Sequence, residues 1–219
     1  MKIDIHRHTI NNDISVQAVR NLFHSQTGEI ENQKLYSVGL HPWHVKEETL
    51  QNDIEEVRKI ANHPQIIAIG EAGLDKTIDV PLTIQQKAFL DQIEIARDVN
   101  KPMIIHCVKA YNEIAELKTH SKHTCPWIVH WFNSNFEMAM QLVEKDFYLS
   151  FGIMLFKEES KAFKAFTRLP IERIFLETDD TVYSIEEIYS KASSMLGLSV
   201  ETMEAQINKN FKDCFDIKL

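Results

Sequence analysis

Short apolar runs alternate with longer amphipathic ones along most of this chain. It opens with Lys2-Ile3-Asp4-Ile5-His6-Arg7-His8, where apolar and polar positions alternate with the period of two that marks a strand. After a polar turn at Asn11-Asn12-Asp13, the residues Ile14, Val16 and Ala18 repeat the alternation and predict a second strand, with a helix as the alternative. Further strands are predicted over 35–42, 65–71, 102–107, 127–132, 147–152 and 173–179. The run at 65–71 is almost continuously apolar, as a parallel sheet covered on both faces requires. Helical spacing predicts helices over 47–62, with Leu50, Ile54 and Val57 inward, and over 81–100, with Phe89, Ile93 and Ala96 inward. Others are predicted over 110–121, 135–145, 158–167, 185–196 and 200–211. Pro81 suits a helix start, and Ser199 caps the last helix with Glu201 in its first turn.

Strands and helices in strict alternation imply a parallel sheet with right-handed crossovers. Eight strands predict an α/β fold of the TIM-like (β/α)8 barrel type. An open doubly wound sheet is the alternative. The interval from His8 to Tyr36 is too short for two full helices and a strand, so truncated or missing helices are expected around the second strand. No repeat, low-complexity stretch or linker interrupts the chain, and a single domain over 1–219 is expected.

Composition narrows the class. Hydrophobic residues make up 44% and charged residues 26%, ordinary for a soluble globular protein. There is no apolar run of membrane-spanning length and no signal-peptide pattern, so a cytoplasmic location is expected. Cys107, Cys125 and Cys214 are odd in number and widely spaced, which fits neither a disulfide framework nor a Cys-x-x-Cys zinc site. A net charge of −8 with no basic tail argues against a broad duplex-gripping surface. A small metal-centred phosphate site stays open, because bound cations reverse the local sign.

The polar residues at strand ends carry the chemistry. His6 and His8 end the first predicted strand and point the same way, with Asp4 one step deeper. His41, Glu71, His106, His130 and Asp179 end five others, each after an apolar run. In a parallel barrel all carboxyl ends of strands face one mouth, where active sites form. One histidine at a strand end is usually an ordinary polar residue, but so many in one chain point to a metal site. Histidines with carboxylates suit zinc, manganese or cobalt. The donors exceed what one zinc ion needs, which favours two ions about 3.5–4 Å apart bridged by a carboxylate.

These motifs resemble the TatD-type metal-dependent hydrolases of the amidohydrolase-like superfamily. The resemblance rests on Asp4-Ile5-His6-Arg7-His8, Gly39-Leu40-His41-Pro42, Ile69-Gly70-Glu71-Ala72-Gly73-Leu74-Asp75, Pro102-Met103-Ile104-Ile105-His106-Cys107, Val129-His130-Trp131-Phe132 and Leu176-Glu177-Thr178-Asp179. It implies hydrolysis of ester bonds, as a deoxyribonuclease or other phosphodiesterase, by a water activated by two divalent ions of zinc, manganese or magnesium. It further implies His6, His8, Glu71, His106, His130 and Asp179 as ligands, with Glu71 shared. The chain departs from the family pattern at Thr9, Lys76 and Asp180-Thr181, and loops at such positions set substrate choice.

Asp179 is the candidate general base, and Glu177 orients a ligand, shuttles a proton or sits in a deeper salt bridge. His41 is a candidate general acid or phosphate donor, or a cap on the turn at Pro42. Lys109 and Lys76 are candidate phosphate contacts, with Arg7 ranked below Lys109. Trp43, Trp131 and Phe132 either stack a base or pack. Asp4 and Asp75 are candidates to support a ligand from behind, or in Asp75's case to pin a turn. Nucleic acid or another phosphodiester is the expected substrate, with no membrane partner, no stable protein partner and a monomeric state. Two other readings compete. One is an amidohydrolase-type enzyme acting on C–N, lactone or phosphotriester bonds, which commonly uses a modified lysine where this chain has Glu71. The other is a non-catalytic metal-binding module.

Overall fold

A computed structural model describes residues 1–216; the last three residues of the domain expected over 1–219 lie outside them. Eight strands form one sheet in chain order: β1 (Lys2–Arg7), β2 (Val16–Phe23), β3 (Leu35–Gly39), β4 (Ile66–Asp75), β5 (Met103–Val108), β6 (Trp127–Val129), β7 (Phe147–Phe151) and β8 (Ile174–Leu176). β1 pairs with β2, β3 with β4, β4 with β5 and β7 with β8, all parallel. Just past β8, Asp179 bridges to Arg7 in parallel, and its N–H donates to the His6 carbonyl at 2.9 Å. The first strand thus adjoins the last, and the fold is the expected (β/α)8 barrel. No described helix is long and apolar enough to cross a membrane.

The chain divides into two compact units, Met1–Arg20 with Val129–Leu219, and Asn21–Ile128. In the first, Ile3, Ile5, Phe147, Phe151, Phe166, Phe175, Tyr189 and Phe211 are fully buried. Its helices are α4 (Phe136–Val143), α5 (Lys161–Phe166), α6 (Ile185–Leu196) and α7 (Val200–Phe215). The outer helices are fastened to the sheet by polar side chains. Tyr189 on α6 accepts from the Ile3 N–H at 3.0 Å and donates to its carbonyl at 3.1 Å. Asn210 on α7 donates to the Ile171 and Ile174 carbonyls, both at 2.8 Å. Ser184 and Glu187 form a reciprocal capping box at the start of α6, and Ser199 caps α7.

In the second unit, α1 (Leu50–Ile60), α2 (Leu82–Asp98) and α3 (Tyr111–Ser121) cover β3 to β5 over Tyr36, Val57, Phe89, Ile93, Ile104 and Trp127. Within the stretch from 14 to 23, Val16–Phe23 forms a strand rather than a helix, and only a 3-10 segment (His24–Glu29) follows it, in line with the short interval. Strand ends differ from expectation: β3 stops at Gly39, short of His41, and β4 runs on past Glu71 to Asp75. β6 stops at Val129 and β8 at Leu176, short of His130 and Asp179. Beyond these ends, Trp131 and Asp179 take positive φ, +45° and +49°, outside the extended region.

Candidate metal centre

The first unit gathers His6, His8, His130, Glu177 and Asp179. Nε2 of His6 lies 3.6 Å and Nε2 of His8 3.3 Å from Oδ1 of Asp179. The His6 and His130 rings lie 4.3 Å apart. The main-chain bond from Asp179 to the His6 carbonyl therefore sets the carboxylate against both imidazoles of the first motif. Asp4 works one residue earlier. Its buried carboxylate accepts from the Thr178 N–H at 2.9 Å and hydroxyl at 2.7 Å, with Arg7 at 3.4 Å. Burial pushes Asp4 up to about 6 in spite of these bonds. Asp4 thus pins the backbone beneath Asp179.

Glu177 is buried and accepts a hydrogen bond from the Trp131 N–H, with His130 Nδ1 at 3.9 Å. Burial pushes its carboxyl up to about 8, against the pull of His130. Asp180, whose residue type departs from the family pattern, brings a further carboxylate. Donor atoms of His8, Asp179 and Asp180 lie within 4.8 Å of one another, a group able to hold an ion.

The second unit gathers His41, Glu71 and His106, likewise able to hold an ion. Here hydrogen bonding fixes the tautomers. The Trp43 N–H donates to His41 Nδ1 at 3.1 Å, so the neutral His41 ring carries its proton on Nε2. That N–H lies 3.1 Å from its hydrogen-bond partner His106 Nδ1 and 3.0 Å from Glu71 Oε1. His106 is held from behind. Its Nε2 lies 3.2 Å from Asp75 Oδ2, which also accepts from Trp43 Nε1 at 2.9 Å. Burial alone would raise the Asp75 carboxyl, but hydrogen bonds from Thr77, Trp43 and His106 hold it at about 2. The ionised Asp75 favours the proton on His106 Nε2, so Nδ1 turns a lone pair toward Glu71 Oε1 at 2.7 Å. His41 Nε2–H is within reach of both atoms, and the three residue types together suit a divalent metal.

Close packing places this cluster. A Cβ at Gly73 would lie 2.0 Å from the His106 carbonyl oxygen, so only glycine lets β4 approach β5 there. Buried amides hold the strand ends. Asn21 Oδ1 accepts from the Glu71 N–H at 2.7 Å and the Ser37 hydroxyl at 3.0 Å. Gln92 accepts from the Leu40 N–H at 2.7 Å, and Gln85 from the Asp75 N–H at 2.8 Å. Sequence reasoning passed over all three, along with Thr178. For the glutamines a signal existed: both lie on the inward face of α2 with Ala88, Phe89 and Ala96.

Other sequence candidates fall differently. Phe132 is fully buried against Phe151, so it packs. Trp43 is 61% exposed beyond its bond to Asp75. Lys109 is exposed at positive φ just past β5, and Lys76 is ion-paired with Glu113. Cys107 is buried, and burial pushes its thiol up to about 12, too high for a nucleophile at neutral pH.

The family model described as TatD related DNase matches residues 6–216. The chain is 28% identical over 206 residues to the uncharacterized metal-dependent hydrolase YcfH of Escherichia coli K12, covering 87% of this chain and 76% of that protein. It is 34% identical over 146 residues to the uncharacterized metal-dependent hydrolase YabD of Bacillus subtilis, covering 65% and 57%. The crystal structure of YJJV, a TatD homologue from E. coli, superposes with a TM-score of 0.86 at 18% identity, covering 99% of this chain and 98% of that one.

Proposed function

The chain belongs to the TatD-related DNase family of metal-dependent hydrolases, and from that premise we propose that it hydrolyses phosphodiester bonds, with deoxyribonucleotide strands as the substrate class. The ligands in this reading are His6, His8, His130 and Asp179 from the first unit and Glu71 and His106 from the second. Two divalent ions of the zinc, manganese or magnesium kind suit them. The observation that carries the reading is the facing pair Glu71 Oε1 and His106 Nδ1, with Asp75 behind the imidazole.

Bound ions would bring the pKa of a water toward neutrality and offset charge developing on phosphoryl oxygens. The protein's own groups supply the rest. Asp179, held by its bridge to β1, accepts the proton of the attacking water. Glu177, buried beside His130, receives or returns a proton as the site turns over. His41, fixed with its proton on Nε2, donates to a phosphoryl or leaving oxygen. Lys109 and Lys76 are the proposed phosphate contacts, with Lys109 free of the Glu113 pairing that holds Lys76.

The test is a panel of bis(p-nitrophenyl) phosphate and a labelled single-stranded deoxyoligonucleotide with Mg²⁺, Mn²⁺, Co²⁺ and Zn²⁺. Metal-dependent cleavage is expected, with kcat lowered by about a hundredfold or more in Asp179→Asn. Inertness with every ion, or wild-type turnover in Asp179→Asn, overturns the reading or the base assignment respectively.

A further inference from the structure

A cavity of about 290 Å³ in the first unit begins at Asp179 and runs between the loop after β1 and the segment leading into α6. That volume sits at the lower edge of the roughly 300–1,000 Å³ typical of small-molecule sites, enough for one sugar or nucleoside. The lining mixes polar groups with the apolar surfaces of Val16, Tyr183 and Ile185, and its charge is one-sided. Leaving Asp179 to the metal, the carboxylates of Asp13, Asp180 and Glu186 face a single cation, Arg7. Arg7 is already committed: Nε donates to the Thr9 carbonyl at 2.9 Å, Nη2 to the Thr9 hydroxyl at 2.8 Å, and Nη1 lies 3.4 Å from Asp4.

The charge of two divalent ions would be balanced by Glu71, Asp179, the attacking hydroxide and the scissile phosphodiester, so the remaining carboxylates disfavour a second phosphate here, whereas hydroxyl and amino groups find acceptors. Tyr183 stacks on Phe156 with ring centroids 4.1 Å apart, which fixes one wall. Ile14 and Val182, the neighbours in sequence of the lining residues Asp13 and Thr181, are 97% and 96% exposed.

We propose that this cavity is the subsite for the group esterified to the scissile phosphate, and that it selects an uncharged, hydroxyl-bearing nucleoside over one carrying a further phosphate. The substrate then presents a phosphate-free nucleoside end to the site. This inference rests on the phosphodiester reading above, and it gives a purpose to the departure at Asp180-Thr181.

Three esters test it: bis(p-nitrophenyl) phosphate, thymidine 5′-(p-nitrophenyl phosphate), and the same nucleotide ester carrying a 3′-phosphate. The plain nucleotide ester is expected to exceed bis(p-nitrophenyl) phosphate in kcat/KM by about tenfold, and the 3′-phosphate to remove about tenfold. In Asp180→Asn with Glu186→Gln, the ratio between the two nucleotide esters should fall toward one. A ratio separates discrimination from any general loss of activity. If all three esters are cleaved alike, or the phosphate penalty survives in the double variant, the subsite is overturned and the phosphodiester reading stands. If no ester is cleaved with any metal, the phosphodiester reading falls and takes this inference with it.

Discussion

Acidification from pH 7 to 4 should weaken the fold through His123, which is not among the proposed ligands. His123 is 5% exposed and its Nδ1 accepts from the Trp127 indole N–H at 2.8 Å. The neighbouring cation is buried too: Lys118 donates to the His123 carbonyl at 3.1 Å and the Cys125 carbonyl at 2.5 Å. Burial first, and then Lys118, push the His123 pKa down from 6.5 to about 4. The folded state thus binds the proton less readily than the unfolded chain. The stabilisation is complete above pH 6.5 and is lost as pH falls toward 4. A difference of about 2.5 units, less the half-protonation reached at pH 4, amounts to about 3 kcal/mol at about 1.4 kcal/mol per unit. His123→Asn keeps an acceptor near the indole but does not titrate. Urea denaturation of both proteins from pH 7 to 4 should show the wild type losing about 3 kcal/mol more than the variant. Carboxylates common to both cancel in the difference. Parallel profiles, or an NMR titration of the His123 ring centred near 6.5, would refute the argument.

Other perturbations probe the site. Asp75→Asn removes the anion that orients His106, so calorimetric titration with Zn²⁺ should show metal affinity lowered by about 10- to 100-fold; unchanged binding would sever Asp75 from the centre. Gly73→Ala drives a Cβ into the His106 carbonyl and should cost about 3 kcal/mol or more in urea unfolding, or prevent folding. Asp4→Ala strips two acceptors from buried Thr178 and should cost about 2–4 kcal/mol, with Asp4→Asn recovering part of it; equal stabilities would show that the pin is idle.

Much of this protein was legible in its sequence because it is written in short-range periodicities. Alternation over Lys2–Arg7 and the continuous apolar run of β4 specify strands locally, and eight such runs between amphipathic helices leave few topologies besides a parallel barrel. The polar residues ending those runs were equally visible, since a histidine or carboxylate after an apolar stretch breaks a pattern read along the chain. What needed the tertiary structure were decisions made by groups distant in sequence. Which nitrogen of His106 faces Glu71 depends on Asp75, 31 residues earlier. Thr178 gains its importance from Asp4 across the closing bridge, and Asn21 from Glu71. The positive φ angles at Trp131 and Asp179 are likewise not encoded in side-chain periodicity. Hydrophobic pattern sets which face of each element is buried; the hydrogen-bond partner at the end of that element is a non-local choice, and only the folded chain brings the partners together.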